Sequence, residues 1–557
     1  MTGSMGRPSR WLVGGVVAGL AAGAGSFVLT QGDATAISTS TADEAPTVPR
    51  LVEETRTSGI RHVYGGDFQF FVGGGVAVLD CDDDQKPDLF VAGGENPAGL
   101  FRNTSEVGGE LTFVRQGSAS SELRGVVGAY PLDVDSDGRV DLAVLRMGEN
   151  VLLRGLGQCE FERANESWGL DGGDAWTAAF SATWEGESAL PTLAFGNYLA
   201  RVADEQNRRD CVPSKLVRPA DGGYGEPLPL TPAYCTLSLL FSDWNAARRA
   251  DLRMTNDRHY YQDGSDQLWS IEERQPPRLY SASDGWEPLV IWGMGIAQRD
   301  VTGDGLPEVA LSSQGDNKLQ TLTDGPTQPT YGDIAIRAGT TAHRPFMGDD
   351  TFPSTAWHPE FDDVNNDGHV DLFFSKGNVD QQPDHAQEDP SNLLLGRPDG
   401  TFVESAREAG VVSMGLGRGA ALTDLNLDGM LDLVEVNRRD NVRVWRNVGA
   451  GTADEPRPPG SWLGVAVSQP APNVDAIGAW VEIRTPDGIQ RQQRLVGGGH
   501  AGGELGWMHW GLGSADRADV RVTWPDGEQT DWQAVDADTF VVVDRAGGRA
   551  QVVEPGS

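Results

Sequence analysis

One nine-residue pattern, D-x-[D/N/T]-x-D-G-x-x-[D/E], occurs four times in this chain. The copies are Asp133–Asp141 (DVDSDGRVD), Asp300–Glu308 (DVTGDGLPE), Asp363–Asp371 (DVNNDGHVD) and Asp424–Asp432 (DLNLDGMLD). A fifth copy, Asp80–Asp88 (DCDDDQKPD), keeps every acid but has Gln85 at position 6. Oxygen side chains at alternate positions of a tight loop suit a hard divalent cation, and calcium takes about six to eight oxygens at roughly 2.3–2.6 Å. Positions 1, 3, 5 and 9 supply Asp80, Asp82, Asp84 and Asp88 in the first loop and Asp133, Asp135, Asp137 and Asp141 in the second. They supply Asp300, Thr302, Asp304 and Glu308, then Asp363, Asn365, Asp367 and Asp371, then Asp424, Asn426, Asp428 and Asp432 in the others. Position 7 offers a backbone carbonyl, from Lys86, Arg139, Leu306, His369 and Met430. Gly at position 6 permits the positive φ that folds the loop back on the ion. A single loop of this composition would read as an acidic turn, but five with one internal spacing predict five calcium sites. Without a cation, the clustered carboxylates would repel one another.

A helix-loop-helix calcium hand is excluded by context. It needs a Glu at position 12 and helices on both sides, whereas position 12 is Val91, Val144, Leu311, Phe374 or Glu435. The flanks read as strands, as in GGGVAVLD before and LFVAGG after the first loop. The loops begin at 80, 133, 300, 363 and 424, and two decayed copies fill the long gap. Trp184–Phe195 has lost the ligands, and Asp243–Leu252 keeps Asp243, Asn245 and Asp251 but has Ala247 and Arg248 at positions 5 and 6. Seven units result, six steps from 80 to 424, about 57 residues each. A second repeat (LVEETRTSGI, FERANESWGL, FVESAREAGV) and a third (LFRN, LLRG, VWRN) keep the same period. Several strands per repeat at this length predict an all-β chain with a seven-bladed β-propeller over 51–449.

Arg7 and Arg10 precede an uncharged run, Trp11–Leu29, of 19 residues, followed by the small-x-small triplet Ala34-Thr35-Ala36. This predicts export, with 1–36 a signal peptide or membrane anchor. Residues 37–50 read as a linker. The protein is therefore expected outside the cytoplasm: extracellular, periplasmic or on the outer surface, touching membrane only through 11–29. Four cysteines, Cys81, Cys159, Cys211 and Cys235, suit disulfides in such a compartment. A Cys211–Cys235 link would close the insertion between units three and four, worth about 3 kcal/mol by chain entropy, but spacing leaves all three pairings open. The net charge of −37 argues against nucleic acid as a partner.

Beyond a Gly/Pro linker at 450–460, strand patterns resume and predict a smaller β domain over 461–545, with 546–557 a tail. The DxDxDG repeats resemble the FG-GAP/VCBS propeller repeats of integrin α chains. The C-terminal part resembles the ASPIC/UnbV domain through AIGA (476–479), GGG (497–499), HWGLG (509–513) and VRVTWPDG (520–527). Together they resemble the cartilage acidic protein 1 family and its bacterial relatives. That resemblance implies extracellular, calcium-dependent interaction and adhesion. One departure is His500–Gly506 (HAGGELG), where the family continues with an aromatic residue and a Ser-Gln pair. The histidines are scattered, at 62, 259, 343, 358, 369, 385, 500 and 509, and neither H-E-x-x-H nor G-x-S-x-G occurs. A binding scaffold for an extracellular protein or glycan is therefore the first expectation. The insertions near 199–236 and 325–358 are its candidate contact loops. The alternative is a polysaccharide-active enzyme or a lectin on the same scaffold.

Overall fold

The computed structural model describes residues 45–556 apart from 202–209, 258–262, 342–343, 346, 348–350 and 381. The run at 11–29, the triplet at 34–36, His259 and His343 lie outside the described residues. No helix among the described residues is long and apolar enough to cross a membrane.

Seven antiparallel four-stranded units form the blades, with those of blades 2 and 3 joined into one eight-stranded sheet where Ala175 and Trp176 pair with Gly148 and Met147. Blade 1 comprises Val76–Leu79, Asp88–Val91, Gly99–Asn103 and Phe113–Gln116, in that order from the axis outward. The innermost strands of blades 2 to 7 are Val126–Leu132, Ala175–Thr183, Thr236–Ser242, Gly293–Arg299, Ala356–Asp362 and Gly417–Thr423. They read as nearly continuous small and apolar runs because blade neighbours cover both faces. Consecutive innermost strands touch, and that of blade 7 touches that of blade 1, so the ring closes. The N-terminal strand Leu51–Glu53 supplies the outermost strand of blade 7, pairing antiparallel with Arg443–Asn447. Both decayed copies are genuine blades. Blade 3 is built from Ala175–Thr183, Thr192–Ala200, Ser214–Val217 and Leu228–Leu230.

The linker after the propeller leads into a sandwich of two four-stranded sheets. One contains Met508–Gly513, Ser461–Ser468, Thr539–Asp544 and Arg549–Val553; the other Gly488–Gln493, Trp480–Thr485, Arg517–Thr523 and Gln533–Asp536. Leu463, Val465, Val481, Ile483, Trp510, Val520 and Val541 fill the space between them. The expected tail at 546–557 is corrected: Arg549–Val553 is an edge strand paired with Thr539–Asp544. Its sequence, RAQVV, is too short and polar to announce a strand, and only the partner strand gives its backbone groups a ladder.

The departure at His500–Gly506 has a structural meaning. The segment from Val496 to Leu505 leaves the sandwich and fills the propeller's central channel. Ala182 bridges Val496, Leu240 bridges Gly497, Ile296 bridges Gly499, Ala129 bridges Gly502 and Val78 bridges Glu504. The plug therefore borrows backbone hydrogen bonds from the inner strands of blades 1 to 5. At its centre His500 donates its backbone N–H to His358 Nδ1 (3.0 Å) in blade 6 and accepts the Gly73 N–H at Nε2 (3.1 Å). Glycine is required here for close approach: a Cβ on Gly75 or Gly128 would collide with the Ala501 carbonyl.

Both disulfides are present, Cys81–Cys159 and Cys211–Cys235. The first joins the loop of blade 1 to blade 2 and settles the pairing left open by spacing. Burial of His62, His358, His500 and His509 holds these rings far below the usual histidine range, at about 4, 4, 3 and 3. They are neutral, buried packing groups near neutral pH.

Candidate metal centres

Each nine-residue loop joins the two innermost strands of its blade, and position 9 is the first residue of the second strand. The backbone conformation repeats closely. Position 4 is left-handed in Asp83, Ser136, Ala246, Gly303, Asn366 and Leu427, with φ between 54° and 73°. Position 6 is left-handed in Gly138, Gly305, Gly368 and Gly429, and also in Gln85 (φ 67°) and Arg248 (φ 64°). Blade 4 thus keeps the loop shape after losing the ligands. A left-handed non-Gly residue costs about 1 kcal/mol. We expect Gln85→Gly to raise stability by up to about 1 kcal/mol, read as a small increase in denaturation midpoint.

Side chains hold the loop shape. Position 1 accepts the position-6 N–H: Asp80 from Gln85 (2.7 Å), Asp133 from Gly138 (2.8 Å), Asp300 from Gly305 (3.0 Å), Asp363 from Gly368 (2.8 Å) and Asp424 from Gly429 (2.7 Å). Position 5 accepts the position-7 N–H: Asp84 from Lys86, Asp137 from Arg139, Asp304 from Leu306, Asp367 from His369 and Asp428 from Met430, all at 2.8–3.0 Å. At position 3, the Asn365 and Asn426 amides donate to the position-5 carboxylates of Asp367 and Asp428.

Position 9 has a second task that the motif alone does not reveal. Asp141 accepts the Val134 N–H with one oxygen (2.8 Å) and the Gly155 N–H of the third strand with the other (2.8 Å). Asp88 does the same with Cys81 and Asn103, Asp371 with Val364 and Gly396, and Asp432 with Leu425 and Asn447. Each is a buried staple between loop and blade. In blade 5 the longer Glu308 accepts the Val301 and Thr302 amides at one oxygen and the Thr302 and Thr321 hydroxyls at the other. The Thr302 hydroxyl is thereby engaged as a donor. Glu435, the one acid at position 12, lies away from its loop and accepts the Ser375, Ser391 and Ser413 hydroxyls.

The acids converge. Oxygens of Asp80, Asp82 and Asp88 lie within 4.8 Å of one another, as do those of Asp133, Asp135 and Asp141. Asp80, Asp82, Asp135 and Asp300 each bury a carboxylate Oδ1 with no hydrogen-bond partner, and Asn426 buries an unpartnered Oδ1. Burial pushes the carboxyls up, to about 6 for Asp80, 7 for Asp133 and 8 for Asp88 and Asp141, with neighbouring carboxylates adding to the shift. Asp363, Asp371, Asp424 and Asp432 are raised well above the usual range for the same reasons. Orphaned oxygens, convergent carboxylates and raised affinity for protons are what a loop shaped for a hard cation presents when described without one. The residues fit calcium. Arginine offsets part of the charge in two loops: Arg102 lies 3.4 Å from Asp82, and Arg154 bridges Asp135 (2.7 Å) and Asp137 (2.9 Å). These are the arginines of the LFRN and LLRG repeats.

The sandwich sits over the loops and meets several at position 4. Asn473 N–H donates to Ser136 (3.0 Å), His509 pairs with Asn366 (2.7 Å), and Trp462 packs with Leu427.

Comparison with known proteins agrees with this architecture. An FG-GAP-like repeat model matches residues 80–144 and 363–435, and an ASPIC and UnbV model matches residues 469–550. No curated protein matches the chain. Among solved structures, BBS1N in complex with ARL6DN is 10% identical, covering 72% of this chain and 97% of that one at a TM-score of 0.41. An N-acetylglucosamine-recognising lectin of Agrocybe aegerita is 13% identical, covering 65% and 88% at 0.37. A mutant of AofleA from Arthrobotrys oligospora is 11% identical, covering 64% and 93% at 0.33. The chain carries FG-GAP-like repeats within its propeller and a C-terminal ASPIC/UnbV domain.

Proposed function

We propose that this protein is an exported, calcium-binding propeller that serves as a cell-surface or extracellular binding and adhesion scaffold, with calcium in a structural role. The observation that carries this reading is where the side-chain chemistry goes. The repeated acids hold the loop shape and staple the strands, and their oxygens converge as a cation would require, while the buried histidines are held neutral by burial. The sandwich lies over several of the loops and the channel is filled by the chain's own C-terminal segment, which supports a structural role for the ions. Contacts with a partner then fall to the opposite face and the blade edges, where the insertions near 199–236 and 325–358 begin and end.

The test incubates the exported form with a panel of polysaccharides and with cell-surface matrix, with and without calcium, following both retention and product by mass spectrometry. Calcium-dependent retention without turnover is the expected result. Turnover that disappears when a single carboxylate outside the loops is changed to its amide would replace this reading with an enzyme. No binding to either matrix in calcium would count against adhesion.

A further inference from the structure

At three loops the sandwich brings side chains of different character up to the position-1 carboxylate. At blade 4, Trp480 Nε1 lies 3.4 Å from Asp243 Oδ2, an indole N–H on a loop that has Ala247 in place of the position-5 acid. At blade 5, Arg491 Nη1 lies 3.3 Å from Asp300 Oδ2, and its Nε is anchored on Glu482 Oε1 at 3.0 Å. At blade 2 the approaching group is a carboxylate. Asp475 stands beside Asp133 and buries one oxygen, Oδ2, without a partner.

This opposition is built rather than incidental. The turn carrying Asp475 is pinned to the loop by the Asn473 N–H on Ser136 Oγ (3.0 Å), and the Asn473 side chain braces it through two bonds to Ile477 (both 2.8 Å). Asp133 and Asp475 face a common interdomain cavity of about 380 Å³. Arg494 is the cation nearest in effect to Asp475, but it makes no ion pair within 4.0 Å among the described residues and donates instead to the Gly506 carbonyl (2.7 Å). Pressing a buried carboxylate against a four-carboxylate loop is unfavourable unless a cation joins them. Calcium accepts up to about eight oxygens and tolerates irregular geometry. At blade 5 a guanidinium from the sandwich meets the position-1 acid itself, whereas Arg102 and Arg154 in blades 1 and 2 pair with acids at positions 3 and 5.

We propose that the C-terminal sandwich sorts the loops: Asp475 is a fifth carboxylate of the blade-2 cation site, and Arg491 occupies the blade-5 site in place of a divalent ion. The wild-type chain then carries four ions, in blades 1, 2, 6 and 7, where the loop pattern alone predicts five. Blade 5 is a latent site, its Asp300 Oδ1 buried and unpartnered. Sandwich docking and cation binding at blade 2 become mutually dependent. The proposal rests on the calcium reading above.

The experiment titrates calcium chloride into the full chain, following bound ions by native mass spectrometry and affinity by calorimetry. Wild type should bind four ions. Arg491→Gln should bind a fifth, and Arg491→Met gives an independent measurement should Gln pack poorly, since each removes the charge while Arg521 still pairs with Glu482. Asp475→Asn should weaken one of the four sites at least tenfold and leave the other three unchanged. Either variant behaving as wild type overturns the half of the proposal it tests, as does a fifth ion in wild type for blade 5. A wild type that binds no calcium overturns the calcium reading itself, which is a different outcome.

Discussion

Removing calcium should lower the melting temperature by about 10 °C and reverse the pH dependence of stability. A ligand bound only by the folded state stabilises by about 2.7 kcal/mol at a hundredfold excess over its Kd. Four such sites are worth about 11 kcal/mol together. With an unfolding entropy of about 2 cal/mol/K per residue, a domain pair of this size shifts by about 1 °C per kcal/mol. The pH effect follows from the direction of the carboxyl shifts. In the ion-free protein, Asp80, Asp133, Asp88 and Asp141 hold their protons up to about 6, 7, 8 and 8. Unfolded, they release them near 3.9. Groups raised on folding contribute stability that is full below pH 4 and is lost as pH rises through 6 to 8. The calcium-loaded protein behaves oppositely, since protons compete with the ion and are driven off over the same window. Melting curves at pH 5.5 and 8.5, with calcium and after its removal, should therefore slope in opposite directions. Parallel slopes, or one melting temperature for both forms, would mean that the loops are acidic turns and nothing more.

Asp141→Ala should cost about 2 to 6 kcal/mol, and should cost it in chelator too. Truncation leaves the Val134 and Gly155 amides buried without an acceptor, at about 1–3 kcal/mol each. Asp137→Ala is the contrast. That carboxylate accepts only the Arg139 N–H of its own loop (3.0 Å) and pairs with the partly exposed Arg154. Its substitution should be felt mainly through lost cation affinity and should become nearly silent once calcium is gone. Urea denaturation of both variants with and without calcium makes the comparison. An Asp141→Ala penalty that vanishes in chelator would show position 9 to be a ligand alone.

Much of the candidate site was legible because the loop is local. Nine contiguous residues set both its shape and its donors, so spacing revealed the motif, its strand context and, through the period, the ring of blades. Decay in blade 4 was readable because Ala247 and Arg248 stand where a ligand and a glycine belong. The staple function of position 9 was not readable. Gly155 lies 14 residues beyond Asp141 and Gly396 lies 25 beyond Asp371, so the partner has no fixed spacing. Glu435 shows the same limit, since its three serine partners come from separate segments.

By itself the sequence determined the all-β ring, the second β domain and the identity of the acidic loops, because hydrophobic alternation and turn chemistry act over a few residues. The tertiary structure alone decided what happens between domains. It paired Cys81 with Cys159, drew His500 into the channel past Gly75 and Gly128, and set Asp475 against one loop and Arg491 against another. Cys81 and Cys159 are 78 positions apart, and the other contacts join residues hundreds of positions apart. Their energies depend on burial and facing charge, which no local pattern encodes and which exist only once the blades have closed around the chain's own C-terminal segment.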